Sequence, residues 1–445
     1  MTIHTKFSNV VKMIMVFTLV SAMVILTGLF VLFGRLPIQE IFFYMCFLDL
    51  NQLDMFKWEL VGASIGCLFW LFLFKIFPKV ITVLMICWGL FLSYIYLFPL
   101  FTRTDETVLF SENYVLPKVQ AHQKKNFVII FWESMEDTFS DEKTWGENLI
   151  PNMSKEEQKS AHFQGYHDLK ITRSTIKSQV ATFCGIPLLK KEKDTFLTKA
   201  RCISDILKEQ GYYQVFMKAA DTRYTNADIF AITHSFDEVI GRQNFLKNGE
   251  ITEEQKQGWG VFDSVFMELA KTKLQELSQL KRPFSLVLTT VNTHYPRGNN
   301  EPDCPVKYKD IRDTVKCSDK TLYDFIEWFK KTEMAKDTVL FVMGDHPMFI
   351  NLEMSISPVL YRYGKREVFN MTFNGKSKGN QKEYVQFDWA PTILEEIGFS
   401  LTPRRFGLGT SLTSQEKSIV AKYGQERLEE MMEHSKTDFE NRFIE

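Results

Sequence analysis

The chain has 445 residues, 45% of them hydrophobic, and its 53 lysines and arginines nearly balance 54 aspartates and glutamates to a formal net charge of −1. That length allows a large core and more than one folding unit. The even charge balance excludes the basic footprint of a nucleic-acid-binding protein, so no nucleic-acid partner is expected.

The mean hydropathy of −0.13 averages two unlike parts that meet near Phe101. Before that point, three apolar runs at about residues 10–33, 60–77 and 80–101 carry no charge near their centres. Each approaches the roughly 20 residues that a membrane-spanning helix needs, and residues 1–101 are expected to form a three-helix anchor. The first run is too long for the h-region of a signal peptide and no small-residue cleavage site follows it. Lys6 and Lys12 precede the first run, and Lys75 and Lys79 flank the turn at Pro78, so these ends belong to the cytoplasmic side. The loop 37–59 carries Glu40, Asp49, Asp54 and Glu59 against Lys57 and belongs outside, with Arg35 as a mild dissent. Three crossings then put everything after Phe101 on the outer side of the membrane.

Residues 102–125 read as a polar connector. From 126 to 412 the pattern alternates between short apolar strands and helices. NFVIIFW at 126–132, YYQVFMK at 212–218, PFSLVLTTV at 283–291 and DTVLFVMG at 337–344 are short apolar runs rich in Val, Ile, Leu and Phe, as expected for strands covered on both faces. Helix-like stretches at 200–210, 263–280 and 318–332 separate them. The expected fold is therefore α/β, with a central, mostly parallel sheet. The charged tail 413–445 reads as one or two surface helices on a solvated face.

Ligands of an open parallel sheet bind beyond the carboxyl ends of its strands. The first strand runs into Glu133-Ser134, the third into Asn292-Thr293-His294 and the fourth into Asp345-His346. Carboxylates and imidazoles are ligands for a divalent metal. Each has a plainer reading: Glu133 as the cap of a following helix, His294 as a turn histidine before Pro296. Three such strand ends together favour a metal site. The stretch LKITRSTIKSQVATFCGIP at 169–187 offers hydroxyls at Thr172, Ser174, Thr175, Ser178 and Thr182. A helix beginning near Thr175 would favour an anion at its N-terminus, and a hydroxyl beside a divalent ion becomes a nucleophile toward phosphorus. Composition alone does not choose between Ser174 and Thr175, since either could serve as a helix cap.

Cys46, Cys67 and Cys87 fall in the anchor, leaving Cys184, Cys202, Cys304 and Cys317 outside. Pairing as 184–202 and 304–317 would suit an oxidising compartment; four buried free thiols are the alternative. No CxxC spacing marks a zinc site.

Over about residues 110–412 these motifs resemble, in order, the lipoteichoic acid synthase and phosphoglycerol transferase branch of the alkaline-phosphatase and sulfatase superfamily, nearest to the members that modify osmoregulated periplasmic glucans. FWESMEDTF resembles the branch's metal-binding segment, which implies a ligand role for Glu133. TIKSQVATFCGIPL resembles the nucleophile segment, which selects Thr175 as nucleophile and further ligand. GYYQVFMKAADTRY implies a substrate-binding role for Arg223, QGWGVFD one for Trp259, and TVNTHYP one for His294. MGDHP implies ligand roles for Asp345 and His346, RFGLG at 405–409 resembles a late motif, and the four outer cysteines resemble cysteines of the glucan-modifying members, which favours the disulfide reading.

The likeness implies a phosphotransferase that moves phosphoglycerol from phosphatidylglycerol to a periplasmic or cell-surface glycan through a phospho-threonine, with Mn²⁺ as the metal and Mg²⁺ or Zn²⁺ as alternatives. Ser174 stands where the branch usually has an aromatic residue. The Cys/Ser-x-Pro-x-Arg signature of sulfate ester hydrolysis is absent, as is the GSHGP-type stretch of phosphoethanolamine transferases. A phosphoethanolamine transferase, a phosphodiesterase and a non-catalytic membrane scaffold remain the rival expectations.

Overall fold

In the computed structural model, residues 108–190, 195–350 and 354–444 are described. The expected spans at 10–33, 60–77 and 80–101 lie outside the described residues, and among the described residues no helix is long and apolar enough to cross a membrane.

The centre is a six-stranded sheet: β1 (Asn126–Trp132), β2 (Tyr213–Lys218), β3 (Glu238–Ile240), β4 (Phe284–Thr289), β5 (Thr338–Gly344) and β6 (Asn370–Phe373), in the order β3-β2-β4-β1-β5-β6. All neighbours are parallel except the edge pair β5 and β6. The four strands read from apolar runs are the four inner ones, and in β4 and β5 every residue is buried. Helices lie on both faces. On one, α1 (Thr175–Cys184) and α2 (Ile203–Glu209) share a core with Phe127, Ile129, Phe131, Phe216 and Phe341. On the other are α3 (Asp263–Leu277) and α4 (Ile311–Lys330), where Trp132 Nε1 donates to Ser318 Oγ at 2.7 Å.

Register decides where the chemistry collects. Phe131 faces Thr289 of β4 and Met343 of β5, Trp132 faces Gly344, and Thr289 faces Lys218 of β2. The four inner strands thus end at one level, and the loops leaving them emerge side by side. The chain also leaves β4, passes β1 and enters β5 on its far side, which is the switch point where open α/β sheets hold ligands. Gly344 is required there: a Cβ on it would lie 1.8 Å from the Met135 carbonyl oxygen.

Three expectations change. The connector is partly built into the fold, because Lys118–Ala121 pairs antiparallel with Phe399–Thr402. The helix expected at 318–332 starts at Ile311, where Asp310 caps it by accepting from Arg312 N. The tail is a packed element and not a solvated face. Its helices Ile419–Tyr423, Gln425–Glu433 and Lys436–Phe443 bury Leu428, Met431, Met432, Phe439 and Phe443 in the main core. Phe443 meets Phe110 and Tyr114 edge-on at 5.3 and 5.2 Å between ring centroids. The charges that made this tail look solvated lie on the outer faces of amphipathic helices. Both cysteine pairs are disulfides, 184–202 and 304–317.

The packed tail predicts that Phe443→Ala costs about 3 kcal/mol, the ordinary loss for a buried phenylalanine. The urea midpoint followed by near-ultraviolet circular dichroism reads this, and an unchanged midpoint would mean the tail contributes nothing to the fold.

Candidate metal and nucleophile site

Glu133 leaves the end of β1, and its backbone is held from three sides. Its N–H donates to Thr290 Oγ1 at 3.0 Å, its carbonyl accepts from Thr293 Oγ1, and the next residue, Ser134, adopts a left-handed φ of 56°. Ser134 N then donates to Asp345 Oδ1 at 2.8 Å while its hydroxyl donates to Glu133 Oε1 at 2.7 Å. Ser134 therefore ties the two carboxylates to each other. His346 completes a trio whose ligand atoms all lie within 4.8 Å of one another, with Nε2 3.6 Å from Glu133 Oε1 and 3.5 Å from Asp345 Oδ2.

All three side chains are buried, so the electrostatics are severe. Burial and the neighbouring Glu133 push Asp345 up to about 6, although His346 opposes this. Burial also acts to raise Glu133, but His294, His346 and the hydroxyls of Ser134 and Thr175 outweigh it and hold Glu133 below the usual range. Burial disfavours the charged form of His346, yet Asp345 and Glu133 overcome it and raise its pKa. Asp345 Oδ2 is buried with no hydrogen-bond partner, an uncompensated acceptor aimed into the trio. Two carboxylates and one imidazole in this arrangement fit a hard or borderline divalent cation. His346 Nδ1 lies 3.0 Å from the Pro347 carbonyl; donation there places the lone pair on Nε2, the orientation common to metal-bound histidine.

Thr175 is the first residue of α1, and its hydroxyl donates to Glu133 Oε2 at 3.1 Å. Ser174 occupies the cap position, but no side chain caps the helix, and the Ser174 hydroxyl is buried without a partner. Of the two hydroxyls that composition leaves equal, Thr175 is the one that reaches the trio. Gln179, one turn further along α1, donates to Thr289 Oγ1 at 2.9 Å and pins the helix to β4.

His294 is half-buried, stacks on Tyr295 and lies 4.2 Å from Trp259 between ring centroids. Its Nδ1 is 2.8 Å from the Tyr295 carbonyl, and donation there leaves the lone pair on Nε2. Asp263, at the head of α3, accepts from Val291 N and Asn292 N at 2.8 and 3.1 Å and so holds the segment that carries His294. The Arg223 side chain is 70% exposed and its guanidinium pairs with Asp221, two residues earlier. Cys184 and Cys202 close the far end of α1 onto the start of α2.

The residues whose roles sequence reading left unassigned are the supports, Ser134, Thr290, Thr293, Gln179 and Asp263, together with Lys218. Lys218 ends an apolar strand as Glu133 nearly does, so the same strand-end rule would have found it. Ser134 and Thr293 stand among the strand-end residues, and nothing local marks Thr290 or Gln179.

Residues 125–399 match the Sulfatase family model, more than half of the chain. The chain belongs to the sulfatase family. It is 28% identical over 322 residues to "Phosphoglycerol transferase I" of Xanthomonas euvesicatoria pv. vesicatoria, covering 68% of this chain and 45% of that protein. Against the protein of the same name from Salmonella typhi the identity is 30% over 324 residues, covering 68% of this chain and 41% of the other. The chain thus spans less than half the length of these curated relatives. Among solved structures it is similar to an alkaline phosphatase superfamily protein from Vibrio parahaemolyticus, with a TM-score of 0.55 and 24% identity over 71% of this chain and 76% of that one. It also resembles a lipoteichoic acid synthase from Listeria monocytogenes, with a TM-score of 0.54 and 17% identity over 71% of this chain and 92% of that one. These structural likenesses establish the fold of the family domain.

The trio predicts that Glu133→Ala or Asp345→Ala weakens Mn²⁺ binding more than about 100-fold, beyond the loss typical of an outer-shell change. Asp345→Asn should raise the thermal midpoint of EDTA-treated protein, because it removes one of two repelling carboxylates. Calorimetric titration showing wild-type Mn²⁺ affinity in either alanine variant would contradict the assignment.

Proposed function

We propose that this chain is a glycerophosphotransferase that takes phosphoglycerol from phosphatidylglycerol and passes it, through a phosphoglyceryl-Thr175 intermediate, to a hydroxyl of a periplasmic or cell-surface glycan. The observation that carries the reading is the Thr175 hydroxyl at the head of an uncapped helix, 3.1 Å from Glu133 Oε2 in a buried trio of ligand type. The similarity to proteins named phosphoglycerol transferase I supports the choice of head group.

The transfer has two balanced steps. In the first, Thr175 Oγ1 bonds to phosphorus, the bond from phosphorus to the diacylglycerol oxygen breaks, and the threonine proton ends on the released diacylglycerol. In the second, an acceptor hydroxyl bonds to phosphorus, Thr175 Oγ1 leaves, and the proton of that hydroxyl returns to threonine.

The chain's own groups divide the work. Glu133 Oε2 takes the hydrogen bond of the Thr175 hydroxyl and so turns a lone pair of Oγ1 toward the substrate. The dipole of α1 favours the negative charge gathered at phosphorus. Burial lowers the pKa of His294 despite the opposing Glu133, which keeps the imidazole neutral. Its Nε2 is then an acceptor for a hydroxyl of the head group or of the incoming glycan, and Trp259 backs the ring. Arg223 serves as a rim cation on the segment leaving β2. A divalent cation bound by Glu133, Asp345, His346 and Thr175, with Mn²⁺ favoured over Mg²⁺ or Zn²⁺, would supply the Lewis acidity that lowers the hydroxyl's pKa and offsets charge at phosphorus.

In this reading residues 1–101 anchor the chain in the inner membrane and the catalytic domain stands in the periplasm over its lipid donor. The two disulfides support the oxidising compartment.

The test is diacylglycerol release by full-length protein with Mn²⁺ from vesicles of phosphatidylglycerol or of phosphatidylethanolamine. Release from phosphatidylglycerol, lowered about a thousand-fold or more by Thr175→Ala, is the expected result. Preference for phosphatidylethanolamine would give the head group to the alternative transferase. Rapid release of glycerol phosphate to water without an acceptor would make the chain a phosphodiesterase, and no turnover of either lipid would leave a scaffold.

A further inference from the structure

Burying a charged side chain without a partner is costly, and proteins avoid it or compensate it. Among the described residues Lys218 is the sole buried lysine or arginine, with 4% of its surface exposed. Its side chain makes no hydrogen bond and no ion pair among the described residues. The cation is therefore buried and without a direct partner.

Its place in the sheet says what it faces. Lys218 is the last residue of β2 and shares its register position with Thr289 of β4, which in turn is level with Phe131 of β1. Side chains alternate along a strand, so Lys218 projects to the same face as Phe216, which packs in the core that α1 covers. The neighbouring Thr289 accepts from Gln179, one helical turn beyond Thr175. Lys218 therefore lies on the sheet beneath the first turns of the helix that Thr175 heads. The carboxylates whose charge acts on it are Glu133, Asp345, Asp221 and Asp228, and none of them bonds it. Burial lowers its pKa to about 8 against their pull, so the ammonium form persists at neutral pH.

We propose that Lys218 is a substrate-binding cation of this site, whose ammonium receives a non-bridging oxygen of the phosphoryl group that Thr175 attacks. The ligand chemistry is a phosphate ester, carried either by a lipid head group or by free glycerol phosphate. The inference rests on the proposed attack of Thr175 on phosphorus. It gives the inner cation to a residue that no family motif singles out, since Arg223 is exposed and held by Asp221.

The test compares wild type, Lys218→Met and Lys218→Arg as full chains in detergent with Mn²⁺. Three quantities are read: thermal midpoint, affinity for glycerol phosphate, and the rate of adduct formation on Thr175 from phosphatidylglycerol. Lys218→Met should leave the midpoint unchanged or raised, because an uncompensated charge is gone. It should weaken glycerol phosphate binding and slow adduct formation by at least about 30-fold, as expected when one side of a buried charge pair is truncated. Lys218→Arg should recover part of both. Loss toward glycerol phosphate alone would assign Lys218 to the free ester, and loss toward the lipid alone to the donor.

Ligand affinity and adduct rate both within twofold of wild type in Lys218→Met would overturn the proposal. So would a lowered midpoint with no recovery by arginine, which would mark a structural lysine. The two readings fail separately. Lysine-dependent binding of glycerol phosphate without any Thr175 adduct sinks the transferase and keeps the anion site, whereas a Thr175 adduct formed at the wild-type rate, together with wild-type glycerol phosphate affinity, in Lys218→Met does the reverse.

Discussion

Glu133 and Asp345 set two carboxylates side by side out of water, and their mutual repulsion is the constraint that the surrounding structure has to meet. The fold opposes it with local donors: Ser134 bonds both carboxylates, Thr175 bonds one, and His346 stands against both. These donors compensate the pair only in part, since Asp345 remains pushed up to about 6 and its Oδ2 has no hydrogen-bond partner. A divalent cation resolves such a cluster more completely than any protein donor, which is why its cost in stability reads as a functional feature.

The sheet makes this cluster possible at modest entropic cost. Because β1, β2, β4 and β5 end level, residues separated by more than 200 positions meet without long loops: Ser134 and Asp345 are 211 apart in sequence and 2.8 Å apart in space. Parallel strands buried on both faces hold that register firmly, since a slip would disrupt the core packed against them. The helix bearing Thr175 is fixed at its far end by the 184–202 disulfide and along its length by Gln179 on Thr289. Thr175 therefore sits on a rigid element, as the proposed nucleophile of a site working at ångström tolerances would require.

Much of this was legible in the chain because one rule applied repeatedly. Short apolar runs marked the four inner strands, and the polar residues after them named Glu133, His294, Asp345 and His346. Thr175 was separable from Ser174 only by family likeness, since a hydroxyl at a helix start looks the same in composition whether it caps or reacts. The supporting roles were illegible for a physical reason: Thr290, Thr293 and Asp263 act through backbone contacts that depend on register. The tail was misread because its charges were visible and its inward face was not. Phe439 and Phe443 have partners more than 300 residues earlier, around Phe110. Arg223 was placed by motif, and a local ion pair with Asp221 holds it at the surface.

The central claim is that this arrangement makes Thr175 a nucleophile toward the phosphorus of a lipid. Peptide mass spectrometry of full-length protein incubated with Mn²⁺ and phosphatidylglycerol vesicles, without an acceptor, tests it most directly. The account predicts a phosphoglyceryl group on Thr175 that a chelator prevents and that Glu133→Ala abolishes. Lipid turnover with no modified Thr175, or with the group on Ser174, would contradict it.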